Sequence, residues 1–287
     1  MKGVSFMKIK NIFMVILFIL SLLFLINIPC IVDASTETVT FKDKNLYKRV
    51  VSYLDDSIIS KDDATNTVTV NVEEITKLDL SNDEDIEIAT ERKISNLSGI
   101  ENFTNLQHLD VSWNNISDIT PITNLTKLQY LDITSNNISD LSCMSNLKDL
   151  YFFHCSYNNI TDVSVLGNLT NLQDLNISDN KITDVSSLSN LSLLYTFWIS
   201  GNHIDDWSFI TNLPRLVGFG VPFSDSSQLS VLDQYGMLEK LKYIGLYLSD
   251  ESGNFQLLSK ATNLIGFWSK SINISNSDLS VFSNMAS

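Results

Sequence analysis

Five asparagines stand 22 residues apart: Asn114, Asn136, Asn158, Asn180 and Asn202. A carboxamide supplies two donors and an acceptor, a combination suited to buried backbone groups where a chain turns. Neither Asp nor Leu offers it, so the chemistry of this ladder is structural, with bonds expected at the bend and in the next coil. A second set, Asn102, Asn124, Asn146, Asn168, Asn190 and Asn212, precedes an inward Phe or Leu each time and is expected to serve the return bend in a similar way. Asp118, Asp140, Asp162, Asp184 and Asp206 are placed for Asx-type turns. Catalytic patterns do not stand out. His108, His154 and His203 share no metal-ligand spacing, and there is no Ser/His/Asp set, glycine-rich phosphate loop or paired-carboxylate motif. The reading is no enzyme, no cofactor and no metal site.

Aromatic residues carry the other chemistry. Trp113, Tyr130, Tyr151, Phe152, His154, Tyr157, Tyr195 and Trp198 fall at positions that flank apolar ones and would point outward, beside Ser112, Ser178, Asp174 and other polar residues. Polar residues should dominate an idle sheet face. A contiguous exposed aromatic surface marks an interaction site, and Tyr and Trp are favoured anchors. The bland account is that aromatics simply suit strands.

The elements that position these residues follow from the repeat. One unit reads Leu106, Leu109, Val111, Asn114, Ile116, Asp118, Ile119, Ile122, Leu125, and the next returns the pattern 22 residues on, from Leu128 to Leu147. Such a period with L-x-x-L-x-L-x-x-N marks a leucine-rich repeat solenoid. Each unit is one coil of a right-handed superhelix. Its short strand joins a single parallel sheet on the concave side, and turns or 3₁₀ pieces fill a convex side too short for a full helix. A coil cannot bury its apolar side alone. The fold class is therefore an α/β solenoid with an N-terminal helical cap. Leu46, Val50, Val51 and Leu54 recur at helical spacing, and Val68, Val70 and Val72 alternate, so a short helix over 43–54 and a strand over 67–72 would cover the open end.

The domain reading is a signal peptide over 1–34, a cap over 35–74 and the repeats over 75–287, regular from 94 to 221 and irregular from 222 to 287. Lys2, Lys8 and Lys10 precede an apolar run from Ile12 to Ile26, and Val32-Asp33-Ala34 has the small residues of a cleavage site. Retention as a membrane anchor is the rival reading. The net charge of −14 becomes −16 once residues 1–34, with three lysines and one aspartate, are removed. That charge opposes binding to nucleic acid and anionic lipid. Cys143 and Cys155 are expected on opposite sides of a coil, as two packed thiols. Between Leu80 and Ile94 the unit carries nine extra residues with Asp83, Glu84, Asp85 and Glu87, read as a solvated loop. Beyond Pro214 the units lengthen, with Leu216-Phe219-Val221, Leu241-Ile244-Leu246 and Leu264-Phe267 still in phase. The stretch 278–285 returns to the consensus, and the next strand's leucine would fall at position 288, which points to a fragment or a ragged end.

Units such as Leu172-Gln173-Asp174-Leu175-Asn176-Ile177-Ser178-Asp179-Asn180, with the segment 41–54 resembling a cap helix, make the chain similar to the internalin-like leucine-rich repeat proteins of Gram-positive bacteria. The resemblance implies a secreted or cell-surface monomer that binds another protein, including one on a host cell, through its concave face. A structural or glycan-associated envelope component, or the repeat region of a longer surface protein or enzyme, is the alternative.

Overall fold

The computed structural model describes residues 35–82, 92–221, 229–246 and 255–269. The proposed signal segment, the acidic insertion and the consensus stretch 278–285 lie outside the described residues. Contacts divide the chain into residues 1–36 and 37–287, and the second unit holds the repeats.

Nine short strands form one parallel sheet in chain order: β4 (Lys77–Asp79), β5 (His108–Asp110), β6 (Tyr130–Asp132), β7 (Phe152–His154), β8 (Asp174–Asn176), β9 (Thr196–Trp198), β10 (Gly218–Val221), β11 (Tyr243–Leu246) and β12 (Gly266–Ser269). Their central residues align in one row: Leu78, Leu109, Leu131, Phe153, Leu175, Phe197, Phe219, Ile244 and Phe267. From Leu78 to Ile244 every member of that row is fully buried. The register holds although the spacing between strands is not constant. The nine extra residues before β5 and the longer units before β11 and β12 sit between strands, so they leave the pairing intact.

The return side of each regular coil is a 3₁₀ segment, such as Ser142–Asn146, Ser164–Asn168 and Ser186–Asn190. Each starts from an aspartate whose Oδ1 accepts the backbone N–H two residues on, at 2.8 Å for Asp118, Asp140, Asp162, Asp184 and Asp206. These bonds hold the carboxyls of Asp140, Asp162, Asp184 and Asp206 below their ordinary value.

The asparagine ladder is buried, with Asn114 to Asn202 at 3–9% exposure. Asn158 Nδ2 donates to Cys155 O and Ser156 O at its own bend and to Ile133 O in the preceding coil, while its Oδ1 accepts Ile138 N–H. Asn136, Asn180 and Asn202 repeat the pattern. The second link runs to the preceding coil, not the next, because that coil's bend places its free N–H beside the carboxamide. The second asparagine set behaves differently. Asn124, Asn146, Asn168, Asn190 and Asn212 are exposed, since each lies at the end of a 3₁₀ segment and only the apolar residue after it turns inward. Asn102 alone is partly covered and donates to Gly99 O.

Before the solenoid, α1 (Lys44–Leu54) is capped by Asp43, whose Oδ1 accepts from Asn45 and Leu46. Its Oδ2 accepts from Ser95 N, Ser95 Oγ and Asn96 N, tying the helix start to the first repeat. Leu46 and Val50 are fully buried and belong to the same core as Leu78 and Leu80. Arg49 donates to Leu80 O, Ser81 O and Asn82 Oδ1 at the end of β4. Besides the expected strand, here β3 (Thr67–Asn71), the structure adds β1 (Thr36–Thr40) and β2 (Ile58–Asp62), in the order β1-β3-β2. Sequence periodicity missed both: β2 has no buried residue and β1 has one, Val39, so neither shows a clean alternation.

Candidate functional site

Three outward positions per coil build the concave face. The first residues of the strands run Lys77, His108, Tyr130, Phe152, Asp174, Thr196. The third residues run Asp79, Asp110, Asp132, His154, Asn176, Trp198. The residues just before the strands, Gln107, Gln129, Tyr151, Gln173 and Tyr195, are all exposed.

Parallel strands about 4.8 Å apart bring side chains of one row nearly to ring-stacking distance. His108 stacks on Tyr130 at 3.9 Å between centroids and 13° between planes, and Tyr130 on Phe152 at 4.1 Å and 9°. His154, two residues along β7, leans against Phe152 at 4.0 Å and 36°. Its Nε2 meets Asp174 Oδ1 at 2.8 Å. Four rings and a carboxylate thus form one continuous, half-exposed ridge over β5–β8. His108 was missed as a member, although its distance of 22 residues from Tyr130 places it in the same row.

The remaining aromatics do not join that ridge. Tyr195 and Trp198 lie on the far side of β8, where Gln173, Asp174 and Asn176 present a polar strip, so the expected single cluster is two. Trp198 lies across the next two strands: a Cβ at Gly220 would come 2.1 Å from its Cε3, and one at Gly245 2.7 Å from its Cζ3. The glycines of β10 and β11 are the floor that lets the indole lie down. Trp113 and Tyr157 are not on the sheet. They occupy the left-handed turn after the strand, with φ of 60° and 55°, in the column shared with Ser135, Asp179 and Gly201. Ser112 and Ser178, expected outward, are buried. The physical reason is the same for all four: each strand is three residues long, so alternation stops before the bend. The aromatics most open to solvent on the face are Tyr151 at 43% and Tyr195 at 46%, with Tyr157 at 46% on its edge.

The third-residue row shows what the repeat itself requires. Asp110 Oδ1 accepts Ser112 N–H, Asp132 accepts Thr134 N–H and Asn176 accepts Ser178 N–H, each closing its strand with an Asx turn. His154 and Trp198 replace that acceptor with a ring directed across the face. The fold does not call for them there.

Electrostatics add a sign to the face. Burial, with Asp132 and Asp79 adding to it, pushes the Asp110 carboxyl up. Burial, then Asp132 and Asp110, pushes the Tyr130 hydroxyl up. Burial and then Lys77 lower His108. Burial raises both thiols, Cys143 to about 11 and Cys155 well above its ordinary value; both are free. The His154–Asp174 pair has no nucleophile set beside it, for Ser156 Oγ turns to Thr134 Oγ1 at 3.4 Å. Among the described residues, no group of three or more His, Cys, Asp or Glu could hold a metal ion.

Comparison with known proteins agrees with this architecture. The family profile described as leucine-rich repeats in two copies matches residues 104–149 and 145–190. No curated protein matches the sequence significantly. Among solved structures, internalin C2 of Listeria monocytogenes is similar with a TM-score of 0.56 and 23% identity, over 86% of this chain and 91% of that one. A second internalin of that organism, inlF, gives 0.50 and 24%, over 86% and 94%. A leucine-rich repeat protein of Leptospira interrogans gives 0.52 and 19%, over 75% and 54%. Such identities establish a shared fold, that of an internalin-like leucine-rich repeat solenoid. Solenoids of this kind are scaffolds that present an extended surface, typically to another protein.

Proposed function

We propose that this internalin-like leucine-rich repeat protein is exported and binds another protein, of adhesion or host-interaction type, through its concave face. The observation that carries the reading is the replacement of the strand-closing Asp or Asn by His154 and Trp198. Together with the stacked ridge and the open rings of Tyr151 and Tyr195, these replacements place aromatic surface where the repeat needs only a turn acceptor. Aromatic anchors surrounded by polar residues are the usual make-up of a binding hot spot. Export rests on the basic and apolar pattern of residues 1–34 with its small-residue cleavage site.

The test is capture by the full chain, in parallel, of solubilised host-surface proteins and of purified cell-wall polysaccharide. A protein retained by the native chain and lost with both Phe152→Ala and Trp198→Ala supports the reading. Retention of polysaccharide alone would turn it towards a glycan-associated envelope role, since exposed tyrosines also stack on sugars.

A further inference from the structure

We propose that the partner presents an arginine to this face, with its guanidinium bridging Asp110 and Asp132 and its stem lying along the edges of the His108–Tyr130–Phe152 ridge. The inference rests on the concave face being the protein-binding surface, and it names the chemistry that the surface selects.

Two rows lie side by side on the same strands. On β5 they are His108 and Asp110, and on β6 Tyr130 and Asp132. Over β4 to β9 the first and third strand positions hold four carboxylates, Asp79, Asp110, Asp132 and Asp174, against one lysine, Lys77. Asp174 is engaged by His154. Among the described residues the ion pairs are His154–Asp174 and Lys260–Asp233, so Asp110 and Asp132 face each other with no cation between them. Each commits Oδ1 to its own turn, to Ser112 N at 2.9 Å and Thr134 N at 2.8 Å, which leaves Oδ2 for a partner. The raised Asp110 carboxyl records burial and the repulsion within this row. A cation arriving there would relieve that repulsion.

Geometry selects arginine over lysine. Neighbouring strands put the two carboxylates about 4.8 Å apart. A planar guanidinium carries donors on both sides and can reach two carboxylates at once, whereas an ammonium is a point charge. The ring faces of the ridge are already used in stacking, so what they offer a partner is apolar edge. That edge suits the methylene stem of an arginine.

Asparagine is the variant that isolates charge, because Asn176 closes its strand by the same turn, accepting Ser178 N–H at 3.1 Å. A random peptide library displayed on phage is selected on the immobilised full chain. Selected peptides are then measured against the native chain, Asp110→Asn/Asp132→Asn and Phe152→Ala, with melting curves to show that each variant is folded. The expected result is enrichment of arginine beside apolar residues, at least about tenfold weaker binding to the double variant, and a similar loss when that arginine is replaced by citrulline. Lysine in its place should bind more weakly. Peptides that depend on Phe152 but not on the two aspartates, or that carry no basic residue, would overturn the arginine assignment and leave the concave face as the binding surface. Peptides indifferent to all three substitutions would overturn both.

Discussion

Replacing Asn158 by leucine tests the physical core of the fold. The two side chains are close in size, so the change removes hydrogen bonding without opening a cavity. Four bonds disappear, but they are not equal. The carbonyl of Ile133 keeps Asn136 Nδ2 at 3.1 Å, that of Cys155 keeps Asn180 Nδ2 at 3.0 Å, and that of Ser156 keeps Ser135 N at 2.8 Å. Only the N–H of Ile138, bound to Asn158 Oδ1 at 2.9 Å, is orphaned in a buried place. An orphaned donor costs about 1–3 kcal/mol, and each carbonyl that keeps one partner loses no more than about 0.5 kcal/mol. The sum is about 2–4 kcal/mol, far below four full desolvation penalties. For a unit of this size that corresponds to roughly 4–16 °C in melting temperature. Thermal melting followed by circular dichroism gives the total. Amide hydrogen exchange gives the location, because protection of the Ile138 N–H should fall more than that of Leu131 or Phe153. Asn124→Ala, at an exposed position of the second set, should change stability by less than about 0.5 kcal/mol. An unchanged melting temperature with full protection at Ile138 would refute the argument that the ladder holds the bends.

Other perturbations probe the face, the turns and the leader. Phe152→Ala should weaken partner binding by about 2 kcal/mol and, because it also breaks two ring contacts, lower stability by about 1–2 kcal/mol; Tyr151→Ala should affect binding alone, which parallel binding and melting measurements would separate. Gly220→Ala should lift the Trp198 indole from its floor, changing tryptophan emission and reducing binding as Trp198→Ala does; an unaltered spectrum would show that the ring does not lie there. The convex aspartates have folded-state pKa values below the ordinary 3.8, so their turns stabilise the fold above that pH and the contribution is lost as pH falls through the folded-state values. Asp162→Asn, which keeps the turn acceptor but cannot titrate, should flatten the acid limb of a melting-temperature profile. If residues 1–34 are a cleaved leader, mass spectrometry of protein from culture medium will find Ser35 at the N-terminus, whereas intact chain confined to membranes would favour the anchor.

The repeat was legible in the sequence because every coil solves the same local problem. The 22-residue period assigns Leu109, Leu131, Phe153 and Leu175 to one buried row, and it assigns a buried carboxamide to each bend. It also locates the nine-residue insertion between strands, since only there can length change without breaking register. What the period could not show depends on side chains of a neighbouring coil. Whether Tyr130 is an open ring or one layer of a stack is decided by His108 and Phe152 on either side of it. Whether Trp198 stands up or lies down is decided by glycines on the next two strands. Trp113 and Tyr157 left the face because a three-residue strand ends before them and the bend turns them into a left-handed conformation. Sequence periodicity is a property of one coil, and it determined the scaffold. The binding surface is a property of coils in register, and only their stacking decided which aromatic residues remain open to a partner.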